Sequence, residues 1–236
     1  MKARALGAVA ALLFPAVALA QNARPATYIT AAQVQEINKL PGTDRQIVNV
    51  DVGNTNLAVG VIHRGRTGAP PAAAAGGGAG AGAGAGRGGA AGTGAGAGAG
   101  AGGGAAANAT PPEPCGEKGT APAGSASGLW HKGQTETYVI ISGSGTLVTG
   151  GKIMNGRMSG PTSEVTKVLN GPSCSGAIVG DDVVKRVVNV GDIIIIPAGT
   201  PHGWTDIGDH VDYLSVRPDP QRTIPELYTN PALKKQ

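Results

Sequence analysis

Hydrophobic positions change their period once along this chain. Val34, Ile37 and Leu40 recur at helical spacing behind Thr30-Ala-Ala-Gln33, a capping-box pattern, and predict one short helix ended by Pro41-Gly42. From there on, apolar residues alternate or run in short stretches bounded by Gly, Asp or Pro. These stretches predict strands over Gln46–Val52, Asn56–Arg64, Thr135–Ser142, Thr146–Thr149, Ala177–Val179, Val183–Val190, Asp192–Ile196 and His210–Val216. Within the third, Glu136, Tyr138 and Ile140 share one face, because side chains alternate across a strand. Ile193 to Ile196 form an unbroken apolar run, the pattern of a strand buried on both faces. Short strands with glycine turns indicate an all-β sandwich or barrel.

Two segments fall outside this pattern. Lys2 and Arg4 precede an apolar run from Ala5 that ends in Ala18-Leu19-Ala20, the arrangement of a secretory signal over residues 1–20. The run is short for a bilayer span and contains Pro15, so no membrane anchor is expected after cleavage. Export to the periplasm or the extracellular space follows as an expectation. The second segment explains the composition. Of 236 residues 41 are Gly, and 18 of those, with 18 Ala, lie in the 40 residues from Gly68 to Ala107. Such a stretch has too little apolar side chain to offset the entropy of ordering it, so a structureless insert over 68–127 is expected. Its Gly-x-Gly-x-x-Gly matches carry no phosphate-binding meaning, since no strand leads into them and no helix follows. The folded part is then residues 21–67, with the helix and first strands, and residues 128–216, followed by a tail over 217–236.

Charge adds little. Nineteen Lys+Arg stand against 15 Asp+Glu, and loss of Lys2 and Arg4 reduces the excess to two, with no basic cluster to favour nucleic acid. The two cysteines, Cys115 and Cys174, would share an oxidising compartment, which favours a disulfide between them over two free thiols.

Chemistry concentrates around two of the four histidines. In Trp130-His131-Lys132-Gly133-Gln134-Thr135-Glu136, a turn through Lys132-Gly133-Gln134 would make His131 and Glu136 cross-strand neighbours converging from one face. In Gly191-Asp192-Ile193-Ile194-Ile195-Ile196-Pro197-Ala198-Gly199-Thr200-Pro201-His202, a tight turn presents His202 at the start of the next strand. An imidazole beside a carboxylate on an apolar wall is half of a metal site. His63 is a strand-end residue beside Arg64, and His210 sits at a turn in Gly-Asp-His.

These two stretches resemble the paired motifs of the cupin family. His131 takes the place of the second His of the family's His-x-His, Glu136 follows after four residues and Gly143 after six more. Gly191, Pro197, Gly199 and His202 match the second motif, with Asp206 where Asn is usual, and Leu129 stands where the family has its first His. The resemblance implies a single jelly-roll β-barrel carrying the short N-terminal helix and the long Gly/Ala insert. It also implies a divalent transition metal (Fe, Mn, Ni, Cu or Zn) held by His131, Glu136 and His202. Gln134 or His63 could fill the vacant ligand position, and Glu136 could instead act off the metal as an acid or base. Two functions remain open on this reading: a metal-dependent enzyme (oxygenase first, then isomerase or lyase) acting on a small molecule, and a non-catalytic small-ligand-binding module. A homodimer is expected through the resemblance alone.

Overall fold

The computed structural model describes residues 25–68, 112–224 and 227–235. The signal-like segment 1–20 lies outside them, as do residues 69–111, which hold nearly all of the Gly/Ala run. A helix, α1 (Ala31–Asn38), begins at Thr30, whose side chain accepts from the Gln33 amide while Gln33 reaches back to the Thr30 amide. Thirteen strands follow among the described residues. They are β1 (Asp44–Asp51), β2 (Asn56–Gly65), β3 (Pro114–Cys115), β4 (Ser127–His131), β5 (Glu136–Gly143), β6 (Gly145–Thr149) and β7 (Lys152–Met158). After them come β8 (Ser173–Val179), β9 (Val184–Val188), β10 (Ile193–Ile196), β11 (His202–Thr205), β12 (His210–Asp219) and β13 (Tyr228–Thr229). One π-helical turn, Val165–Leu169, precedes β8, and a 3-10 turn, Pro231–Lys235, follows β13.

The strands form two antiparallel sheets, ordered β10-β5-β12-β2-β1-β13 and β3-β7-β8-β4-β11-β6-β9. No strand pairing joins the sheets among the described residues, so the architecture is a sandwich rather than a hydrogen-bonded closed barrel. Alternation decides what each strand contributes. Ile62 of β2, Tyr138 and Ile140 of β5 and Tyr213 of β12 meet Leu147 of β6, Val188 of β9 and Trp204 of β11 in the core between the sheets. The opposite faces pack elsewhere. Val61 and Leu214 meet Ile37 of α1 outside the first sheet, and Val148, Ile153, Cys174 and Ile178 form a cluster outside the second.

Several elements differ from the sequence pattern, among them β10, β3 and β7. Ile193 and Ile195 are 66% and 69% exposed, so the isoleucine run of β10 is buried on one face only. β10 is an edge strand, and α1 covers the outer face of its sheet at the far side, over β1 and β2. The last residues of the expected insert are structured: β3 pairs with β7, and Glu117 bridges Met154. Composition concealed this, because Pro and Gly around Cys115 read as loop. Finally β7, with its Gly, Asn and Arg, lacks the apolar alternation that marks a strand, yet it pairs with β8 through a bulge between Met154 and Arg157.

A disulfide joins Cys115 to Cys174 across 59 residues and fixes the returning chain to β8. Chain-entropy reasoning gives a loop of this length about 4 kcal/mol of stabilisation through the unfolded state. Cys174 is also fully buried. The double variant Cys115→Ser/Cys174→Ser should lose about 2–4 kcal/mol in urea unfolding, and the reduced wild type should match it. Loss below about 0.5 kcal/mol would show that the disulfide contributes nothing to stability.

Candidate metal centre

His131 is the last residue of β4, Glu136 the first of β5, and His202 the first of β11. The turn through Lys132 to Thr135 carries the chain from one sheet to the other. His131 and Glu136 therefore face each other across the sandwich and are not the cross-strand neighbours that spacing suggested. The turn before His202 is tied to the same point, since the Gly199 amide donates to the His131 carbonyl at 2.8 Å. Gly199 has φ +79°, a conformation that favours glycine. Asp206, at φ 52°, occupies a left-handed position that Asn and Asp tolerate better than most residues.

The three side chains are buried, at 3%, 1% and 4% exposure in chain order. Glu136 Oε2 lies 3.2 Å from His131 Nε2 and 3.1 Å from His202 Nε2. Hydrogen bonds on the far side of each ring decide what these short distances mean. The Ser173 hydroxyl donates to the Gly171 carbonyl at 3.0 Å and so accepts from His131 Nδ1 at 2.7 Å. The Thr200 carbonyl can only accept, which places a proton on His202 Nδ1 at 3.0 Å. In the neutral rings both Nε2 atoms then carry lone pairs. Burial pushes His131 toward that neutral form against the pull of Glu136. Two imidazole lone pairs and a carboxylate oxygen thus converge. Ligand atoms about 2.0–2.2 Å from one ion at facial or tetrahedral angles stand roughly 3.0–3.4 Å apart, the spacing of Glu136 Oε2 from each imidazole nitrogen, and all three atoms lie within 4.8 Å of one another. The donor set fits a divalent transition metal, with positions left over for a second molecule.

Glu136 is held by more than the histidines. Its Oε1 accepts from Ser215 at 2.8 Å and from Arg217 Nε at 2.8 Å, while the Tyr138 hydroxyl donates to Oε2 at 2.9 Å. Arg217 is fully buried and also contacts Asp44 at 2.6 Å and Gln46 at 3.2 Å. Burial alone would raise the Glu136 carboxyl, but positive charge beside it, on His131 when that ring is protonated and on Arg217, outweighs burial and holds it well below 4.5. Arg217 lowers it whatever the imidazoles carry. Burial lowers Arg217 and is outweighed by Asp44 and Glu136, so its pKa is raised and it stays charged. Burial together with Glu136 and Tyr213 raises Tyr138 well above 10.0 and keeps its hydroxyl protonated as a donor.

A cavity of about 30 Å³ opens beside the triad. Leu129, two residues before His131 on the same face of β4, forms part of its wall, and Arg64, Asp44 and Asn170 form its polar side. His63 does not join the triad. One position from Arg64 on β2, it points to the other face, where Nδ1 lies 2.6 Å from Asp212 and its ring stacks on His210. Gln134 is 1% exposed and neither of its side-chain polar atoms has a partner among the described residues, but it does not line the cavity. Trp130 packs into the cluster outside the second sheet, and Trp204 and Tyr138 belong to the central core. Arg217, Asp44, Ser173 and Arg64 were not singled out in the sequence. For Arg217 the signal was its even spacing from Tyr213 and Ser215.

No family model matches the chain, and no curated protein matches it. Among solved structures it is similar to the protein BH2720 from Bacillus halodurans, at 12% identity over 89% of this chain and 95% of that one, with a TM-score of 0.36. It is also similar to the capsular polysaccharide assembling protein CapF from Staphylococcus aureus, at 13% identity over 78% of this chain and 34% of CapF, with a TM-score of 0.25. Likenesses this distant add nothing to the chemistry of the site.

Two outcomes follow from the buried charges. Arg217→Met leaves the buried Glu136 and the half-buried Asp44 without their guanidinium and should lower unfolding stability by about 3–5 kcal/mol. Glu136 is ionised in the folded state at pH values where the unfolded chain has begun to take up a proton, so its stabilisation is complete above pH 4.5 and fades below it. Urea midpoints of metal-free protein measured downward from about pH 6 should therefore fall with a shallower acid slope in Glu136→Gln than in the wild type. Identical slopes would mean that Glu136 is not held ionised.

Proposed function

We propose that the chain is an exported metal-binding protein of the cupin type. Its jelly-roll would hold one divalent transition metal on His131, Glu136 and His202, and it would work as a metal-dependent enzyme of the oxygenase kind on a small molecule. The observation that carries this reading is the convergence of three acceptor atoms whose ring partners, Ser173 and Thr200, already occupy both Nδ1 protons. A bound metal would supply Lewis acidity or a change of redox state at positions the protein leaves open. The protein's own part is to keep both rings in the ligating tautomer, to hold Glu136 ionised against burial through Arg217, and to provide a polar cavity next to the ion. Glu136 has every oxygen engaged, which supports a ligand role over that of a mobile acid or base. Export is supported by the signal-like leader and agrees with the disulfide between Cys115 and Cys174.

One observation favours the second reading, a non-catalytic ligand-binding module. Leu129 places an apolar wall where the family motif has a fourth ligand, and this reduces the donors available to tune a reactive metal.

Metal analysis of purified wild type should find about one ion per chain, with loss of at least tenfold in affinity in His131→Ala and in His202→Ala. Wild type that stays metal-free after reconstitution with Fe, Mn, Ni, Cu and Zn salts rules the reading out. Oxygen uptake by the loaded protein across small phenolic and keto-acid compounds separates the two functions, since tight binding without turnover identifies the module. A mature N-terminus at Gln21 in the periplasmic or secreted fraction would establish export, and retention of Met1 would refute it.

A further inference from the structure

The cavity beside the triad carries demands that the protein itself does not meet. Arg64 enters it from β2 and spends its Nε on the Tyr213 hydroxyl at 2.9 Å. Among the described residues nothing accepts from its two terminal nitrogens. Asp44 and Asn170 line the same cavity, and their Oδ1 atoms are buried acceptors with no donor among the described residues. Their neighbouring atoms are engaged: Asp44 Oδ2 binds Arg217 at 2.6 Å and accepts from Asn170 Nδ2 at 3.3 Å. Orientation of the two free oxygens is thereby set. Buried acceptors with no partner are unfavourable, and a guanidinium fork with both terminal nitrogens free matches a planar carboxylate.

We infer that the cavity binds a short hydroxycarboxylate, its carboxylate on the terminal nitrogens of Arg64 and a hydroxyl donating to Asp44 Oδ1 or Asn170 Oδ1. Charge selects the same class. Arg64 and Arg217 balance Asp44 and Glu136, so a divalent ion on the triad leaves the site with an excess of positive charge that an anion relieves. Asp44 in turn disfavours a second anionic group at its own end and accepts a neutral hydroxyl there. The volume, about 30 Å³, has room for only a few water-sized groups, which limits the ligand to a short molecule or to the end of one that projects outward. The inference rests on metal occupancy of the triad, because that occupancy makes the site net positive.

The test uses the metal-loaded wild type, its metal content measured on the same sample, and calorimetric binding of three probes. Glycerate carries both features, propionate the carboxylate alone and glycerol the hydroxyls alone. Glycerate should bind at least tenfold more tightly than either of the others. Arg64→Gln should weaken glycerate binding by tenfold to a hundredfold with metal content unchanged and glycerol unaffected, and Arg64→Lys should recover part of the loss. If metal is bound but the three probes bind alike, the inference fails and the metal reading stands. If the protein holds no metal, both fail. Should Arg64→Gln not fold, as judged by its melting curve, the probe series on the wild type still decides.

Discussion

A guanidinium buried between two carboxylates is the constraint on which the remaining structure depends. Arg217 on β12 reaches Glu136 on β5 and Asp44 on β1, so one side chain joins three strands of the first sheet from inside the sandwich. Three charges removed from water would be strongly unfavourable singly, and each is acceptable only because the other two are in place. The same arrangement orients Glu136. With Oε1 taken by Arg217 and Ser215, only Oε2 faces the histidines, and the carboxylate presents one atom at one angle. An uncharged partner for Glu136 would leave burial to raise its pKa, and a protonated carboxyl is a poor ligand.

The histidines are prepared in a complementary way from the second sheet. His131 pairs in register with Ser173 on β8, and this strand register puts the Ser173 hydroxyl on Nδ1. His202 uses the backbone of the turn that precedes it. Neither ring can rotate to satisfy Glu136 without giving up its outer hydrogen bond. The site is therefore held in place before any ion arrives, by sheet pairing on one side and by an ion network on the other. The cavity extends this logic, since Asp44 belongs both to the network that orients Glu136 and to the wall that faces an incoming molecule.

Much of the β framework could be read along the chain, and the omissions have a common cause. The strand from His210 was expected to end at Val216, one residue before Arg217, and that from Gln46 to begin two residues after Asp44. Charged residues are read as strand ends because they are usually solvated. Here they continue the inward alternation, Tyr213-Ser215-Arg217, into the middle of the molecule. β7 was missed for the opposite reason, since its pairing with β8 and the disulfide behind it hold a polar segment in place without an apolar pattern. Ile193 and Ile195 suggested two buried faces because hydrophobicity cannot tell an edge strand from a central one.

By itself the sequence determined the capped helix, the all-β class, the two motif stretches and the inward face shared by Glu136, Tyr138 and Ile140. Each of these depends on neighbours within a few residues, where backbone geometry and period are strict. Only the tertiary structure decided that His131 and Glu136 lie on opposite sheets, that His63 faces away while Arg64 faces in, and that Arg217 and Asp44 complete the network around Glu136. Those contacts join residues as far apart as Asp44 and Arg217, and no local rule specifies which distant charge will meet which. The order of strands in the first sheet sets it, since β1, β5 and β12 bring the three charges to one point.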